Sequence, residues 1–191
     1  MIAERLLSYG GPGDDPSLRK GGFLASVALV LRTPNGSHSP ELLLIKRAES
    51  EGDPWSGHMA LPGGRHEDGD RSLLETARRE TLEETGIVLE ERGTMLGRLA
   101  MVSPDTPHLP PLSILPFVFG VPHDTRARTA SAEVAEVHWV PLAHLRDPEI
   151  RTTHRLPAGE AELRFPALRV ANRTVWGLTH RILLDLLTRI R

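Results

Sequence analysis

Three glutamates, Glu80, Glu83 and Glu84, follow a glycine-rich stretch, Pro62-Gly63-Gly64, at spacings that suit one face of a helix. Carboxylates three and four residues apart repel on an exposed helix, each pair costing about 0.2 to 0.5 kcal/mol. A divalent cation turns that repulsion into attraction. Mg2+ is a hard ion that takes oxygen ligands, and it commonly sits between one or two carboxylates and the phosphates of a substrate. The glycines let the backbone approach closely enough for a carbonyl oxygen to complete such a shell. The same glutamates also describe an ordinary solvated acidic face, and the loop ahead of them is what favours a metal and diphosphate site.

A helix must hold these carboxylates in register, and the sequence marks both of its ends. Ser72 followed by Glu75 reads as a capping box, and Gly86 as the left-handed residue that stops the last turn. The helix expected is Leu73 to Thr85. At about 100° per residue the glutamates fall within about 100° of one another as an exposed patch, while Leu74, Ala77 and Thr81 form a separate stripe able to face a core. Arg79, four residues before Glu83, can orient that carboxylate through an ion pair. Asp70 stands ahead of the helix, suited either to cap it or to assist a metal through water.

Gly64, Arg79-Glu80, Glu83-Glu84 and Gly86, within residues 63–87, resemble the signature of the Nudix hydrolases, which hydrolyse nucleoside diphosphates linked to another group. The tail RETLEETGI is a close match, with Thr81 where many members carry an aliphatic residue. The head is one residue longer than the commonest spacing and has Asp70 in place of the usual Glu. That longer loop, together with Trp176-Gly177-Leu178-Thr179 near the C-terminus, is similar to the coenzyme A pyrophosphatase branch. One position departs: the branch carries an Arg four residues before the glycine matching Gly57, and Asp53 stands there.

The resemblance runs from about residue 22 to 188 and implies an α/β fold, an α/β/α sandwich with a mixed β-sheet. It implies Mg2+ or Mn2+ as cofactor, with Glu80 and Glu84 as principal ligands and the Gly64 carbonyl beside them. Glu83 would be a further ligand or the base that takes a proton from water. The substrate implied is a small nucleotide-containing diphosphate, coenzyme A or an acyl derivative first. The alternatives are another nucleoside diphosphate derivative, a nucleoside triphosphate, or a binding module without chemistry. A module of that kind would be expected to lack signature carboxylates, and all three are present. A homodimer follows by analogy alone.

Further residues have two readings each. Arg47 ends the strand ELLLIKR, where a cation either aids solubility or makes a forked contact to a substrate phosphate. Trp55 is either a core anchor or the wall of a base or acyl pocket. His58 is either a hydrogen-bonded structural histidine or a substrate contact. Glu133 and Glu136, at the start of a strand ending Trp139-Val140-Pro141-Leu142, are either exposed or, by resemblance, a support or base for the metal site. Asp105 and His108, in the proline-rich stretch SPDTPHLPP, read as solvated loop residues.

With 191 residues, 39% of them apolar and 25% charged, the chain reads as one domain, 1–191, with residues 1–21 as lead-in. A formal net charge of -2 provides no global field for a large nucleic acid. Zero cysteines rule out thiolate ligands, nucleophiles and a disulfide framework. No basic leader precedes an apolar stretch and no apolar run approaches the ~20 residues of a membrane span, so a cytoplasmic protein without membrane contact is expected. Strands are expected over Phe23–Arg32, Glu41–Lys46, Thr94–Val102, Leu112–Val121 and Glu133–Val140. Met1–Ser8 is expected as a short helix, Leu142–Leu145 as a helical turn, DPEIRTTHRLPAGEA as mostly loop, and ELRFPALRV as two short strands about Pro166. An amphipathic helix carrying Leu178, Ile182, Leu183, Leu186, Leu187 and Ile190 closes the chain.

Overall fold

The computed structural model describes residues 2–8, 22–37, 39–51, 56–104, 111–158 and 161–190. Asp53, Trp55, Asp105, His108 and most of the lead-in lie outside these residues. Seven strands make a mixed sheet: β1 (Phe23–Arg32), β2 (Glu41–Arg47), β3 (Met59–Ala60), β4 (Gly63–Arg65), β5 (Thr94–Arg98), β6 (Leu112–Gly120) and β7 (Val134–Pro141). β1 and β6 run parallel through the centre, and their apolar runs are almost continuously buried because both faces are covered.

The alternation of β1 separates those two faces. Leu29 and Leu31 pack with Leu42, Leu44 and the C-terminal helix α4 (Gly177–Arg189), whereas Ala28 and Val30 pack with Leu43, Phe117 and the helix α1 (Leu73–Thr85). This is the α/β/α sandwich. Two short helices, α2 (Leu89–Arg92) and α3 (Leu142–Arg146), follow α1 and β7, and no helix among the described residues is long and apolar enough to cross a membrane.

The ends of α1 lie where the sequence marks them. Ser72 accepts from the Glu75 amide at 3.2 Å, and Gly86 ends the helix in the left-handed region at φ 71°. The return half of the capping box differs, since the Glu75 carboxylate takes the Arg71 amide at 2.7 Å rather than that of Ser72. β5 stops at Arg98 after a bulge between Met95 and Gly97, which leaves Val102 only an isolated bridge to Ile114. Ile2–Arg5 is a single 3-10 turn, held to the body by the pairing of Leu7 with Arg98.

Two expectations fail in the C-terminal third. The stretch expected as loop contains β8 (Arg151–Ala158), and the pattern expected as two strands is one strand, β9 (Ala161–Val170). With β10 (Arg173–Trp176) they form a second, three-stranded antiparallel sheet in the order β10-β9-β8. Pro166 does not break β9, because β10 reaches only to Ala167 and Pro166 lies beyond the part flanked on both sides. The polar composition of β8 reflects an edge strand with one charged face, which lacks the apolar run of a central strand.

Replacing the N-cap tests the local logic of α1. Ser72→Ala is expected to lower unfolding free energy by about 1 kcal/mol in denaturant titration, with an unchanged dependence on denaturant concentration.

Candidate metal and diphosphate site

The three glutamates differ in depth. Glu84 is 3% exposed, the Glu80 side chain 15% and the Glu83 side chain 55%. The exposed patch expected from sequence is therefore corrected: Glu84 follows Ala77 by seven residues, two helical turns, and so lies on the stripe that faces the sheet beside Thr81. That spacing was visible in the sequence and outweighs the charge.

What makes burial of Glu84 tolerable is the glycine pair. The amide of Gly63 donates to the Glu84 carboxylate at 2.8 Å. Gly64 lies against Glu80 so closely that a Cβ there would collide with the carboxylate, and a Cβ on Gly63, at φ 153°, would strike the backbone of β1. Gly64 is paired with Ser26, between the ladder bonds Ala28 N to Pro62 O and His66 N to Leu24 O. Ladder parity thus turns the amide and carbonyl of Gly64 toward β1, which corrects the expectation that the Gly64 carbonyl faces the carboxylates, while Gly63 opposes Val27 and turns its amide, and with it its carbonyl, away from β1.

Arg79 organises the acidic groups. Its guanidinium donates to both Asp70 oxygens at 2.9 and 3.0 Å, to Glu80 at 2.9 Å, to Glu83 at 3.2 Å and to the Arg65 carbonyl at 3.1 Å. The Asp70 bonds, working against burial, raise the Arg79 pKa and fix its charge. Asp70 accepts in addition from Thr76 Oγ1 at 2.8 Å and from the Glu67 amide at 3.1 Å. Burial pushes its carboxyl up, but bonds from Arg79, Glu67 and Thr76 outweigh that and hold it at about 2. Ser72 fills the cap position, so Asp70 braces the loop and Arg79 instead of capping.

Glu84 and Glu80 are shifted the other way. Burial raises Glu84 to about 8, opposed by the Gly63 amide and the charge of Arg47 and reinforced by Glu80 and Glu133. Burial also raises Glu80, against the pull of Arg79. Glu133 reaches this field because its segment is tied to the helix end: Ala130 N bonds Glu84 O at 3.1 Å, Arg128 N bonds Thr85 O at 3.0 Å, and Ala48 N bonds Glu133 O at 2.7 Å. Glu136 is elsewhere. It bonds Arg173 at 2.8 Å and His138 at 2.9 Å and pairs with Lys46 at 3.7 Å. On β7 it alternates with Val137 and Trp139, which pack on the α1 side, so it belongs to the opposite face.

A buried carboxylate, Glu84, whose pKa is raised by burial and by the neighbouring charge of Glu80, is an arrangement a divalent cation completes, and the backbone of the glycine strand brings neutral oxygen nearby. Among the described residues no three Asp, Glu or His side chains are grouped as a ready-made metal cage. The residues fit an ion held by a carboxylate pair and a backbone oxygen, with phosphate oxygens and water filling the remaining positions.

The Arg47 amide donates to the His58 carbonyl at 3.0 Å, so the two are neighbours across β2 and β3. Its ring lies edge-on to Trp176, with centroids 5.0 Å apart, and Trp176 stacks on His154 at 3.9 Å. Sequence reasoning missed this ring cluster, together with His66 and Thr76, because β8 reads as loop and no periodicity links it to residue 58. Trp176 had a signal in its tetrapeptide, but none pointed to its neighbours.

A NUDIX domain model matches residues 22–158. Among curated relatives, the chain is 40% identical over 125 residues to an uncharacterized protein of Schizosaccharomyces pombe, covering 64% of this chain and 38% of that protein. It is 30% identical over 158 residues to the mitochondrial coenzyme A diphosphatase NUDT8 of Homo sapiens, covering 81% of this chain and 65% of the relative. It is 31% identical over 180 residues to the uncharacterized Nudix hydrolase NudL of Pectobacterium atrosepticum, covering 92% and 88%. The match thus spans less than two thirds of the first two relatives. Among solved structures, a MutT/nudix family protein from Enterococcus faecalis superposes with a TM-score of 0.59 at 21% identity, covering 92% of this chain and 64% of that one. The NUDIX domain of Shewanella oneidensis NrtR, solved with ADP ribose, gives 0.54 at 23% identity, covering 69% and 80%.

The raised Glu84 carboxyl has a signature in stability. Its proton is held more tightly in the folded chain than in the unfolded one, so the stabilisation is complete below about 4.5 and is lost as pH rises toward about 8. Thermal unfolding in chelator is expected to show wild type weakening over that window, at up to about 1.4 kcal/mol per pH unit from this group, and Glu84→Gln lacking much of the slope. Identical slopes for the two proteins would overturn the assignment.

Proposed function

Because the chain belongs to the Nudix family, we propose that it hydrolyses a phosphoanhydride bond in a nucleotide-containing small molecule, with coenzyme A or an acyl-coenzyme A as substrate. The observation that carries the hydrolase reading is the pair of buried Glu84 and half-buried Glu80 packed against the Gly63-Gly64 backbone. The coenzyme A reading is supported by the longer signature loop, by Trp176-Gly177-Leu178-Thr179 and by the likeness to NUDT8.

Glu80 and Glu84 would hold Mg2+ or Mn2+, with a backbone oxygen of the Gly63-Gly64 strand beside them. When bound, the ion supplies Lewis acidity toward the phosphates and lowers the pKa of water. Arg79 fixes the rotamers of Glu80 and Glu83 while Asp70 fixes Arg79, so the acidic face is assembled before substrate arrives. Glu83, the most exposed of the three, and Glu133, at the mouth, are the carboxylates able to receive a proton from the attacking water. Arg47, whose charge reaches Glu84, is placed to steady a phosphate. In the reaction a water oxygen bonds one phosphorus, the bond from that phosphorus to the bridging oxygen breaks, and the water proton passes to a carboxylate. Coenzyme A would yield 3′,5′-ADP and 4′-phosphopantetheine.

Asp53, standing where the branch carries an Arg, favours a second reading in which the reaction is the same and the substrate is another nucleoside diphosphate derivative. A panel with Mg2+ or Mn2+ separates the two: coenzyme A, acetyl-coenzyme A, NADH, ADP-ribose, a dinucleoside polyphosphate and nucleoside triphosphates, with products identified by mass. Dominant release of 3′,5′-ADP is expected, and turnover of another member alone would move the substrate. Glu84→Gln is expected to fold, since an amide oxygen can still accept from Gly63, and to reduce turnover by about 100-fold or more. Full metal-dependent activity in that variant would refute its role as a ligand.

A further inference from the structure

The second sheet has two unlike faces. Registers in the β8 and β9 hairpin pair His154 with Phe165 and Leu156 with Leu163, and Trp176 of β10 continues the same row through Ala167. The alternate positions form the other face. Toward the core it carries Leu168, Val170 and Val175, packed with α4, and toward the hairpin end it carries Arg155, Arg164 and Glu162, joined in ion pairs at 3.5 and 3.0 Å. The charges at the hairpin end therefore stand on one side, while on the ring row Arg169 follows beyond Ala167, opposite Thr174 and away from the hairpin end.

Among the described residues, the hairpin end of the ring side is left partly open. Leu156 and Leu163 are 38% and 48% exposed, although leucines opposed across a pair of strands normally mark a covered face. Burial lowers the His154 pKa, which disfavours a charge on this ring. From the Ala167 row to Leu163 is four residues, about 14 Å at the rise of an extended strand. A single planar base would cover only a part of this length. An extended chain would follow all of it.

The inner end of the face reaches His58, beside the end of β2. Trp176 touches the His58 ring, His58 is the backbone partner of Arg47, and the charge of Arg47 is felt at Glu84. A substrate with its diphosphate at Glu80 and Glu84 thus has, on one side, a path over rings and then over leucines.

We propose that the face formed by His58, Trp176, His154, Phe165, Leu156 and Leu163 seats the uncharged arm of the substrate, an extended chain ending in an apolar acyl group. This rests on the coenzyme A reading and assigns its acyl specificity to a sheet outside the signature. The rings line the stretch next to the diphosphate and the two leucines take the acyl end.

The experiment compares kcat and KM for coenzyme A and octanoyl-coenzyme A in wild type and in Leu156→Thr/Leu163→Thr, which keeps strand-favouring side chains while making the tip polar. Wild type is expected to prefer the octanoyl ester. The variant is expected to lose that preference about tenfold in the ratio of the two kcat/KM values, through KM. Arg164→Thr, measured beside it, alters the opposite, charged face of the same strand and is expected to retain the preference. An unchanged ratio in the double variant overturns the inference while leaving the coenzyme A reading intact. Wild-type activity on NADH or ADP-ribose with none on either coenzyme A compound overturns the substrate reading itself. Sedimentation of the same proteins supplies the remaining outcome: a wild-type dimer that the double variant converts to monomer would make this face a contact between two copies, and the inference would fall.

Discussion

A carboxylate buried against a glycine amide is the constraint on which the rest of the site depends. Glu84 lies on the stripe of α1 that faces the sheet, where an isolated ionised group is disfavoured by several kcal/mol. It is accepted there because Gly63 presents an unpaired strand amide to it, and because the adjoining Gly64 has no side chain to obstruct Glu80. The same burial that disfavours its charge makes it a strong seat for a cation, since a dry carboxylate gains more from a divalent ion than a hydrated one. Glycine strand and helix are therefore parts of one device, and β4 exists at three residues because only that length is needed to bring its backbone to α1.

Arg79 divides the acidic residues into those that are satisfied and those that are not. Asp70 takes a bidentate share of the guanidinium and has its remaining bonds filled by Thr76 and Glu67, so its charge is spent inside the loop. Glu80 and Glu83 receive single bonds from the other side of the fork, which orient them but leave lone pairs open. A lysine could not make this division, because its compact ammonium lacks the planar fork that reaches three carboxylates and a carbonyl at once.

Much of this was legible in sequence where the information is local. Ser72, Glu75 and Gly86 bracket α1, and the apolar runs of β1, β2 and β6 announce buried strands. The identity of the carboxylates was legible too, through spacing. Their relative depth was read wrongly for Glu84, since charge was allowed to outweigh a seven-residue step from Ala77. Glu133 and Glu136 show the limit more clearly: three residues apart, one just before β7 and one within it, they lie on opposite sides of the sheet, and only the pairing of Ala48 with Glu133 and of Glu136 with Arg173 decides which one lies near Glu84.

The hairpin of β8 and β9 was illegible for a related reason. A strand at the edge of a small sheet, with one charged face and one face of rings and leucines, lacks both the continuous apolar run and the clean alternation that sequence reading relies on. Its partners are set by contacts between residues 58, 154 and 176, a separation that no local rule spans. The consequence reaches beyond prediction. The carboxylates, their glycine strand and Arg79 are held by α1 and the large sheet, while the ring face is held by the small sheet, which meets the large one through the core under α4, through Arg173 and Glu136, and at Arg47 and His58. Substitutions at the hairpin tip are therefore expected to leave the carboxylates and Arg79 undisturbed, because positions separated in this way respond nearly independently.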